Sequence, residues 1–174
     1  METISAARLT LWPLTAQDAD EMAEVLAGEE LYAFIGGAAP TPAELRARYA
    51  ALEARRSPDG RQEWLNWIIR RDTDGRAVGY VQATVADGGR RAEVAWVVGT
   101  AWQGRGYASE AAAALAEWLR ARGVARIEAH IHPDHHASMT VAGRIGLLPT
   151  EHFEDGERLW TWERPGGVRR EAGV

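Results

Sequence analysis

The stretch Trp102-Gln103-Gly104-Arg105-Gly106-Tyr107-Ala108-Ser109 decides how the rest of the chain is interpreted. It follows a run typical of a strand, Ala92–Val98, and opens an alanine-rich segment that predicts a helix over Gly106–Arg122. The start of a helix leaves about four backbone N–H groups unpaired and carries about +0.5 of an elementary charge. Because glycine and alanine let an anion approach that backbone, the stretch predicts a phosphate-binding loop.

Two common phosphate-binding motifs do not fit this loop. A dinucleotide-binding fingerprint needs a third glycine at the position of Ser109, and a P-loop needs a lysine, which the chain lacks. The pattern that remains is R/Q-x-x-G-x-G/A, filled by Gln103, Gly106 and Ala108. It resembles the acetyl-coenzyme A loop of the GNAT superfamily of N-acetyltransferases.

A second motif supports this resemblance, which extends over roughly residues 7–163. The family often has Asn-x-x-Ser ahead of an aliphatic helix that ends in Gly-Phe. Here Ser138 and Gly146 match that pattern, while His135 replaces the Asn and Leu147 replaces the Phe.

The two ends of the chain resemble one branch of the family. The opening segment Arg8–Leu14 and the closing turn Asp155-Gly156-Glu157 are similar to those of ribosomal-protein N-terminal (Rim-type) acetyltransferases. The resemblance implies a GNAT fold in which the strands Ala92–Val98 and Arg126–Ile131 splay apart at the cofactor site.

The hydrophobic pattern predicts an α/β fold: a mixed, mostly antiparallel sheet of six or seven strands with about four helices. We expect a single domain over residues 1–164 and a flexible tail over 165–174. The predicted strands are Arg8–Leu14, Trp64–Arg70, Ala77–Val85, Ala92–Val98, Arg126–Ile131, Thr150–Glu154 and Arg158–Glu163. The predicted helices are Ala16–Leu26 (capped by Thr15), a segment from Pro42 to about Arg55, Gly106–Arg122 and His136–Ile145.

Composition excludes several classes of protein. The chain has 174 residues, of which 46% are hydrophobic and 26% are charged, as in ordinary globular domains. The net charge of −5 argues against a nucleic-acid partner, which would require a basic patch. The chain has no cysteine, which excludes disulfides, thiolate metal sites and a cysteinyl intermediate. No apolar run approaches the roughly 18–20 residues that span a bilayer, so we expect a cytoplasmic protein without a membrane partner.

The family resemblance implies acetyl-CoA as co-substrate, with the pantetheine amides paired to strand backbone near Val97 and Val98. A backbone N–H near Val98 would polarise the thioester carbonyl. The candidate cofactor-binding residues are Trp96, Val97, Val98, Gln103, Gly104, Arg105, Gly106, Tyr107, Ala108, Ser109, His135 and Ser138.

Glu93 and Ser138 are the candidate catalytic residues. Glu93 begins the strand that leads into the loop, where a carboxylate can act directly or through water as a general base. The alternative is a strand-edge charge paired with Arg90 or Arg91. Many family members use a tyrosine as general acid, but the helix after Ser138 contains none. The resemblance to the Rim-type branch then indicates Ser138.

Four of the five histidines lie close together in the sequence, at His130, His132, His135 and His136. A metal site is one interpretation, but the chain has no cysteine, and Asp134 is the one acidic residue at a spacing that suits a metal ligand, so we expect no metal. The alternative, which we prefer, is a set of strand-end histidines near the cofactor groove.

The chain thus resembles an acetyl-CoA-dependent N-acetyltransferase that moves the acetyl group directly to a primary amine. We expect it to be a monomer or a homodimer. The stretch Gly36–Pro40 lies where the family places its acceptor site, so Tyr32 and Phe34 are candidate acceptor contacts; a structural loop is the alternative. The acceptor class stays open. Two other functions also stay open: an acyl-CoA-binding sensor or pseudoenzyme, and a structural partner protein whose glycine loop only makes a turn.

Overall fold

The predicted strand, loop and helix form one crossover at the centre of the molecule. In the computed structural model, which describes residues 1–165, β5 (Arg91–Val98) leads into α4 (Tyr107–Ala121), and β6 (Arg126–Ile131) follows. β5 and β6 pair in parallel, as a strand–helix–strand passage requires. This part of the prediction is confirmed.

The sheet has eight strands in the described chain, and every pair except β5–β6 is antiparallel. The other strands are β1 (Ile4–Ser5), β2 (Leu9–Pro13), β3 (Glu63–Arg71), β4 (Ala77–Ala86), β7 (Leu148–Glu154) and β8 (Glu157–Glu163). Their order across the sheet is β1-β2-β3-β4-β5-β6-β8-β7. The mixed, mostly antiparallel α/β class is therefore confirmed.

Helices cover both faces of this sheet. Besides α4, the described chain contains α1 (Ala19–Val25), α2 (Tyr32–Ile35), α3 (Pro42–Leu52) and α5 (His136–Arg144). Two consecutive residues of β5 show that different helices cover the two faces. Val98 packs in the apolar cluster with α4, and Val97 packs in the cluster with α1 and α3. Alternation along a strand sends neighbouring side chains to opposite faces. None of these helices is long and apolar enough to cross a bilayer.

Several element boundaries differ from the predicted ones. β1 was not predicted because a two-residue strand has no period, and it brings the number of strands to eight. The helix expected over Ala16–Leu26 begins as a 3₁₀ turn, where the Asp18 carboxylate accepts a hydrogen bond of 2.8 Å from the Thr15 N–H. α3 starts as predicted but ends at Leu52, since Arg55 adopts a left-handed conformation.

Two further differences concern the ends of the chain and the acceptor region. β7 begins at Leu148, two residues before the predicted start. The short α2 lies in a segment for which no helix was predicted. The flexible tail expected over 165–174 lies outside the described residues, apart from Pro165.

The strands β5 and β6 part after three residues. Their parallel pairing covers Arg91–Glu93 on β5, while β6 remains paired with β8 as far as Ile131. From Val94 onward, β5 is bonded to β4 on one side and faces a gap on the other. The predicted splay of these strands is therefore confirmed.

Gly79 allows β4 to approach the end of β5. It stands opposite Val98 in the strand register. A Cβ added at Gly79 would overlap the carbonyl oxygen of Val97 and lie 2.9 Å from Val98 Cα. Because these are backbone atoms that cannot rotate away, any side chain at this position must displace β5.

We expect Gly79→Ala to lower the free energy of unfolding by about 2–3 kcal/mol, since overpacking against fixed atoms costs about 1–3 kcal/mol. Gly143→Ala in α5 is the matched control. A Cβ there meets nothing within 4 Å, so the change should be neutral or stabilising by up to about 1 kcal/mol. Urea unfolding measures both variants, and equal stabilities would contradict the expectation.

Candidate functional site

A groove of about 990 Å³ opens where β5 and β6 part. Its lining comes from the end of β5, the glycine loop with the first turn of α4, and the start of α5. All of the predicted cofactor-binding residues except Arg105 line it. The structure thus brings together residues that lie in three separate elements.

The loop presents bare backbone at the start of α4. Gly104 and Gly106 have φ values of 73° and 79°, in the left-handed region that glycine tolerates. Gly106 occupies the N-cap position, and glycine has no side chain that could accept a capping hydrogen bond. The first N–H groups of α4 therefore face the groove without an internal partner, which is the arrangement that binds anions.

Side chains on both sides fix this loop. Gln103 Nε2 donates to the carbonyl oxygen of Val98 at 3.1 Å, which ties the loop to the end of β5. Arg8 donates through Nη2 to the carbonyl oxygen of Arg105 at 3.1 Å and through Nε to Glu110 at 2.7 Å. Hydrogen bonds from the side chains of Gln103 and Arg8 thus hold the loop in place.

Arg105 lies outside the groove lining. Its guanidinium carbon sits 5.2 Å from the centre of the Trp102 ring, and its Nη2 donates to Ala101 at 3.3 Å. Arg144 of α5 lines the groove instead and donates to Ser109 Oγ at 3.0 Å. Arg144 therefore places a positive charge beside the first turn of α4.

The backbone of Val98 faces the gap. The N–H of Gly99 donates to the carbonyl oxygen of Val78 in β4 at 2.9 Å. Backbone groups of successive strand residues point to opposite edges, so the N–H and C=O of Val98 point away from β4. The same alternation directs the backbone of Val97 to β4, so strand pairing by a ligand would use Trp96 and Val98 rather than Val97.

Glu93 reaches the groove through His130. The Glu93 carboxylate lies 3.0 Å from His130 Nδ1, and His130 Nε2 lies 3.5 Å from a Glu154 oxygen. His130 lines the groove, whereas Glu93, with a side chain 47% exposed, lies at the last paired position of β5 and β6. Arg91, the alternative partner, forms its ion pairs with other carboxylates.

His135 caps α5 and packs under Phe34. Its Nδ1 accepts a hydrogen bond from the Ser138 N–H at 3.4 Å, and its ring stacks on Phe34 with centroids 4.3 Å apart. Burial lowers the pKa of the His135 imidazole below its ordinary value. The neutral ring can accept the capping bond, so His135 performs here what an asparagine side chain would do.

The acceptor side of the groove includes residues that the sequence did not single out. Phe34 lines it as expected, whereas Tyr32 does not and donates to the carbonyl oxygen of Leu26. Tyr80 and Gln82 of β4 line it on the same face as Val97. The period-two alternation of β4 could have placed them there once its neighbour was known.

Further charged residues and histidines line the groove, including Asp134 and His136. Glu30 and Glu157 line the groove with His130 and His132. The strand-end histidines thus lie at the groove, as expected. Among the residues that the structure describes, no group of three or more His, Cys, Asp or Glu side chains is placed to hold a metal ion.

Taken together, parted strands and an uncapped helix start define a site for an elongated ligand that carries both amide and phosphate groups. A family model described as "Acetyltransferase (GNAT) domain" matches residues 8–148. The chain therefore belongs to the GNAT acetyltransferase family, and the resemblance noted in its motifs is confirmed. A search of curated proteins finds no match.

Solved structures share the fold at low identity. A GNAT-family acetyltransferase from Bacillus anthracis is 20% identical, with a TM-score of 0.77, and the match covers 93% of this chain and 98% of that one. RimL, a ribosomal L7/L12 alpha-N-protein acetyltransferase in complex with coenzyme A, is 16% identical, with a TM-score of 0.78 and the same coverage. An aminoglycoside acetyltransferase, AAC(6')-Ib, in complex with coenzyme A, is 20% identical, with a TM-score of 0.73 and coverage of 90% and 95%.

We expect His135→Asn to flatten the dependence of stability on pH. Because the folded-state pKa lies below the ordinary value of about 6.5, the unfolded chain binds more protons between those two values. Stability therefore falls as the pH drops below about 6.5. Asparagine keeps an acceptor at the cap and removes the titration.

Urea unfolding at several pH values between 7 and 5 measures this effect. His136→Asn, at the exposed neighbouring residue, is the control and should keep the wild-type slope. An unchanged slope in His135→Asn would show that burial of this ring does not bias its protonation.

Proposed function

We propose that the protein transfers the acetyl group of acetyl-CoA directly to a primary amine, on a small molecule or a protein N-terminus, within a ternary complex. One observation carries the proposal: the unpaired edge of β5 and the uncapped start of α4 line a single groove. We place the reaction in the cytoplasm, by a monomer or homodimer, without a metal, nucleic acid or membrane partner.

The two walls of the groove suit the two ends of coenzyme A. The open N–H groups of α4, with Arg144 beside them, bind the pyrophosphate, each charge-assisted hydrogen bond being worth roughly 1.5–3 kcal/mol. The N–H and C=O of Trp96 and the N–H of Val98, which face the gap, pair with the pantetheine amides in the manner of an added strand, while the carbonyl oxygen of Val98 is held by Gln103. The acyl end then lies near the point where β5 and β6 meet.

A backbone N–H of β5 near Val98 is the proposed donor to the thioester carbonyl. A backbone donor fixed by strand pairing stabilises the oxyanion without having to reorganise. The amine nitrogen forms a bond to the carbonyl carbon, the carbon–sulfur bond breaks, and coenzyme A leaves as the thiol. One proton must leave the amine, and one must reach the sulfur.

Glu93 and Ser138 are the proposed base and acid for these two protons. Glu93 acts through its hydrogen bond with His130, which lines the groove, or through an intervening water. Ser138 lines the groove at the start of α5, where its hydroxyl can donate to the leaving sulfur.

The need for a base depends on the amine. A lysine-like amine, with a pKa of about 10.4, is neutral only about once in 10³ molecules at pH 7. An α-amino group with a pKa of about 7.7–8 is neutral about a tenth of the time. The contribution of Glu93 should therefore be larger for alkyl amines than for N-termini.

Gly106→Glu should abolish acetyl-CoA binding, because a carboxylate then occupies the position proposed for the pyrophosphate. Gly123→Glu is a matched control at the other end of α4: its φ is also positive, and a Cβ there meets nothing within 4 Å. Both substitutions carry similar backbone strain, so the difference between them reports on position.

Calorimetry with acetyl-CoA measures this prediction, with circular dichroism to verify folding. Wild-type affinity in a folded Gly106→Glu variant would remove the loop from the cofactor site. Binding to the wild-type protein without thiol release for any amine would favour the sensor or pseudoenzyme instead.

Glu93→Gln should lower kcat by about 10²–10⁴-fold, the usual contribution of a general base. The KM for acetyl-CoA should hardly change, and the acidic limb of the pH–rate profile should disappear. Ser138→Ala should also lower kcat, but it should leave that limb in place. A wild-type rate and acidic limb in Glu93→Gln would exclude Glu93 from proton transfer.

A further inference from the structure

A second cavity of about 430 Å³, here called the side cavity, joins the groove on the face covered by α1 and α3. Tyr80 and Gln82 line both spaces, so the two adjoin at β4. Leu14, Leu45 and Leu52 give the side cavity apolar walls. A molecule that reaches from the groove would therefore pass the polar side chains of Tyr80 and Gln82 and then meet these leucines.

Tyr49 of α3 lines this cavity with an unpartnered hydroxyl. The residue is only 4% exposed, and its buried hydroxyl has no hydrogen-bond partner among the described residues. Buried polar groups in native proteins are nearly always hydrogen-bonded. A buried hydroxyl in a cavity wall that lacks a partner indicates a ligand that supplies one.

Arg48, the preceding residue, is exposed and adds a positive charge to the lining of the same cavity. No carboxylate oxygen of residues 1–165 lies within 4.0 Å of its guanidinium. Glu44, one helical turn earlier, has its carboxylate held by the N–H and hydroxyl of Thr41 at 2.8 and 2.9 Å. The cation of Arg48 is therefore available to a bound anion.

The phenols around Arg48 act as neutral donors. Burial raises the pKa of Tyr49 and of Tyr80 above the ordinary value, and the Arg48 charge only partly opposes this shift. A neutral phenol donates a hydrogen bond to a carboxylate through its O–H, whereas a phenolate would repel the carboxylate. The wall thus offers a fixed hydroxyl donor next to a guanidinium.

Around His130 the groove has the opposite polarity, whereas Arg144 lies beside the start of α4. Glu30 and Glu157 line it, and Glu93 and Glu154 flank His130. The two adjoining spaces therefore have carboxylates around His130 in the groove and a cation in the side cavity. That charge pattern matches a molecule with a positive amine at one end and an anion at the other.

We propose that the acceptor is a zwitterion whose carboxylate binds Arg48 and the Tyr49 hydroxyl in the side cavity, while its amine lies at the thioester. The inference rests on the proposed function and specifies its substrate class. The carboxylate belongs either to a free amino acid or to an acidic residue near a peptide N-terminus. An apolar stem connects it to the amine along the leucine walls.

A series of amine substrates of graded length tests this proposal. ω-Amino carboxylates of increasing length are compared with n-alkylamines of equal length in a thiol-release assay with acetyl-CoA. We expect kcat/KM to favour the carboxylate by about 10–100-fold at one best length, as charge-assisted hydrogen bonds allow. The tetrapeptide amides Ala-Ala-Asp-Ala and Ala-Ala-Asn-Ala then distinguish a peptide acceptor from a free amino acid.

Variants of α3 assign the preference to the side cavity. Arg48→Gln should reduce the ratio of kcat/KM for the carboxylate to kcat/KM for the alkylamine to about two or less, without changing the KM for acetyl-CoA. Arg46→Gln, two residues earlier on the same helix and paired with Asp20 at the surface, should keep it. Tyr49→Phe should weaken carboxylate binding without lowering stability, because that hydroxyl has no partner in the described structure.

A binding measurement separates this proposal from the function on which it rests. Calorimetry of the same ω-amino carboxylates, without acetyl-CoA, should give binding to wild type that Arg48→Gln loses. No binding to wild type, or a carboxylate preference that survives Arg48→Gln, overturns the zwitterion site. Carboxylate binding that depends on Arg48, with no turnover of any amine, supports the site and overturns the acetyl transfer alone.

Discussion

The parting of β5 from β6 after Glu93 is the constraint on which the rest of the structure depends. A buried backbone group without a partner costs about 1–3 kcal/mol, so a gap in the middle of a sheet is stable only if it stays open to water or to a ligand. Pairing with β4 on one side and with β8 on the other holds the two edges apart. Gly79 contributes by letting β4 lie close against the end of β5.

The gap also connects the two faces of the sheet. Val98 and Val97 are adjacent, yet one packs toward α4 and the other toward α1 and α3. A ligand along the edge of β5 can therefore meet the start of α4 while its acyl end meets a second molecule from the opposite face. Phe34 and His135 join these two sides through one stacking contact. The ternary complex that we propose depends on this access from both faces.

Local signals in the sequence were enough to predict elements but not their contacts. The capping pair Thr41 and Glu44 placed the start of α3, and the glycine loop placed the start of α4, because both depend on neighbouring residues. The position of Arg144 in the groove lining depends on helix packing, and the hydrogen bond between Glu93 and His130 depends on strand register. These contacts join residues that are distant in the chain, so no local pattern could reveal them.

The tether between Arg8 and α4 couples the N-terminal strand to the cofactor loop. The backbone N–H of Arg8 donates to Glu110 at 2.6 Å, and its guanidinium holds a carbonyl oxygen of the loop. A ligand that binds only the ordered loop stabilises every segment whose order the loop requires. Ligand occupancy should therefore slow amide hydrogen exchange at the start of the chain, and fraying there should weaken the loop's hold on phosphate. The segment that precedes β2 thus acts as a remote part of the proposed cofactor site.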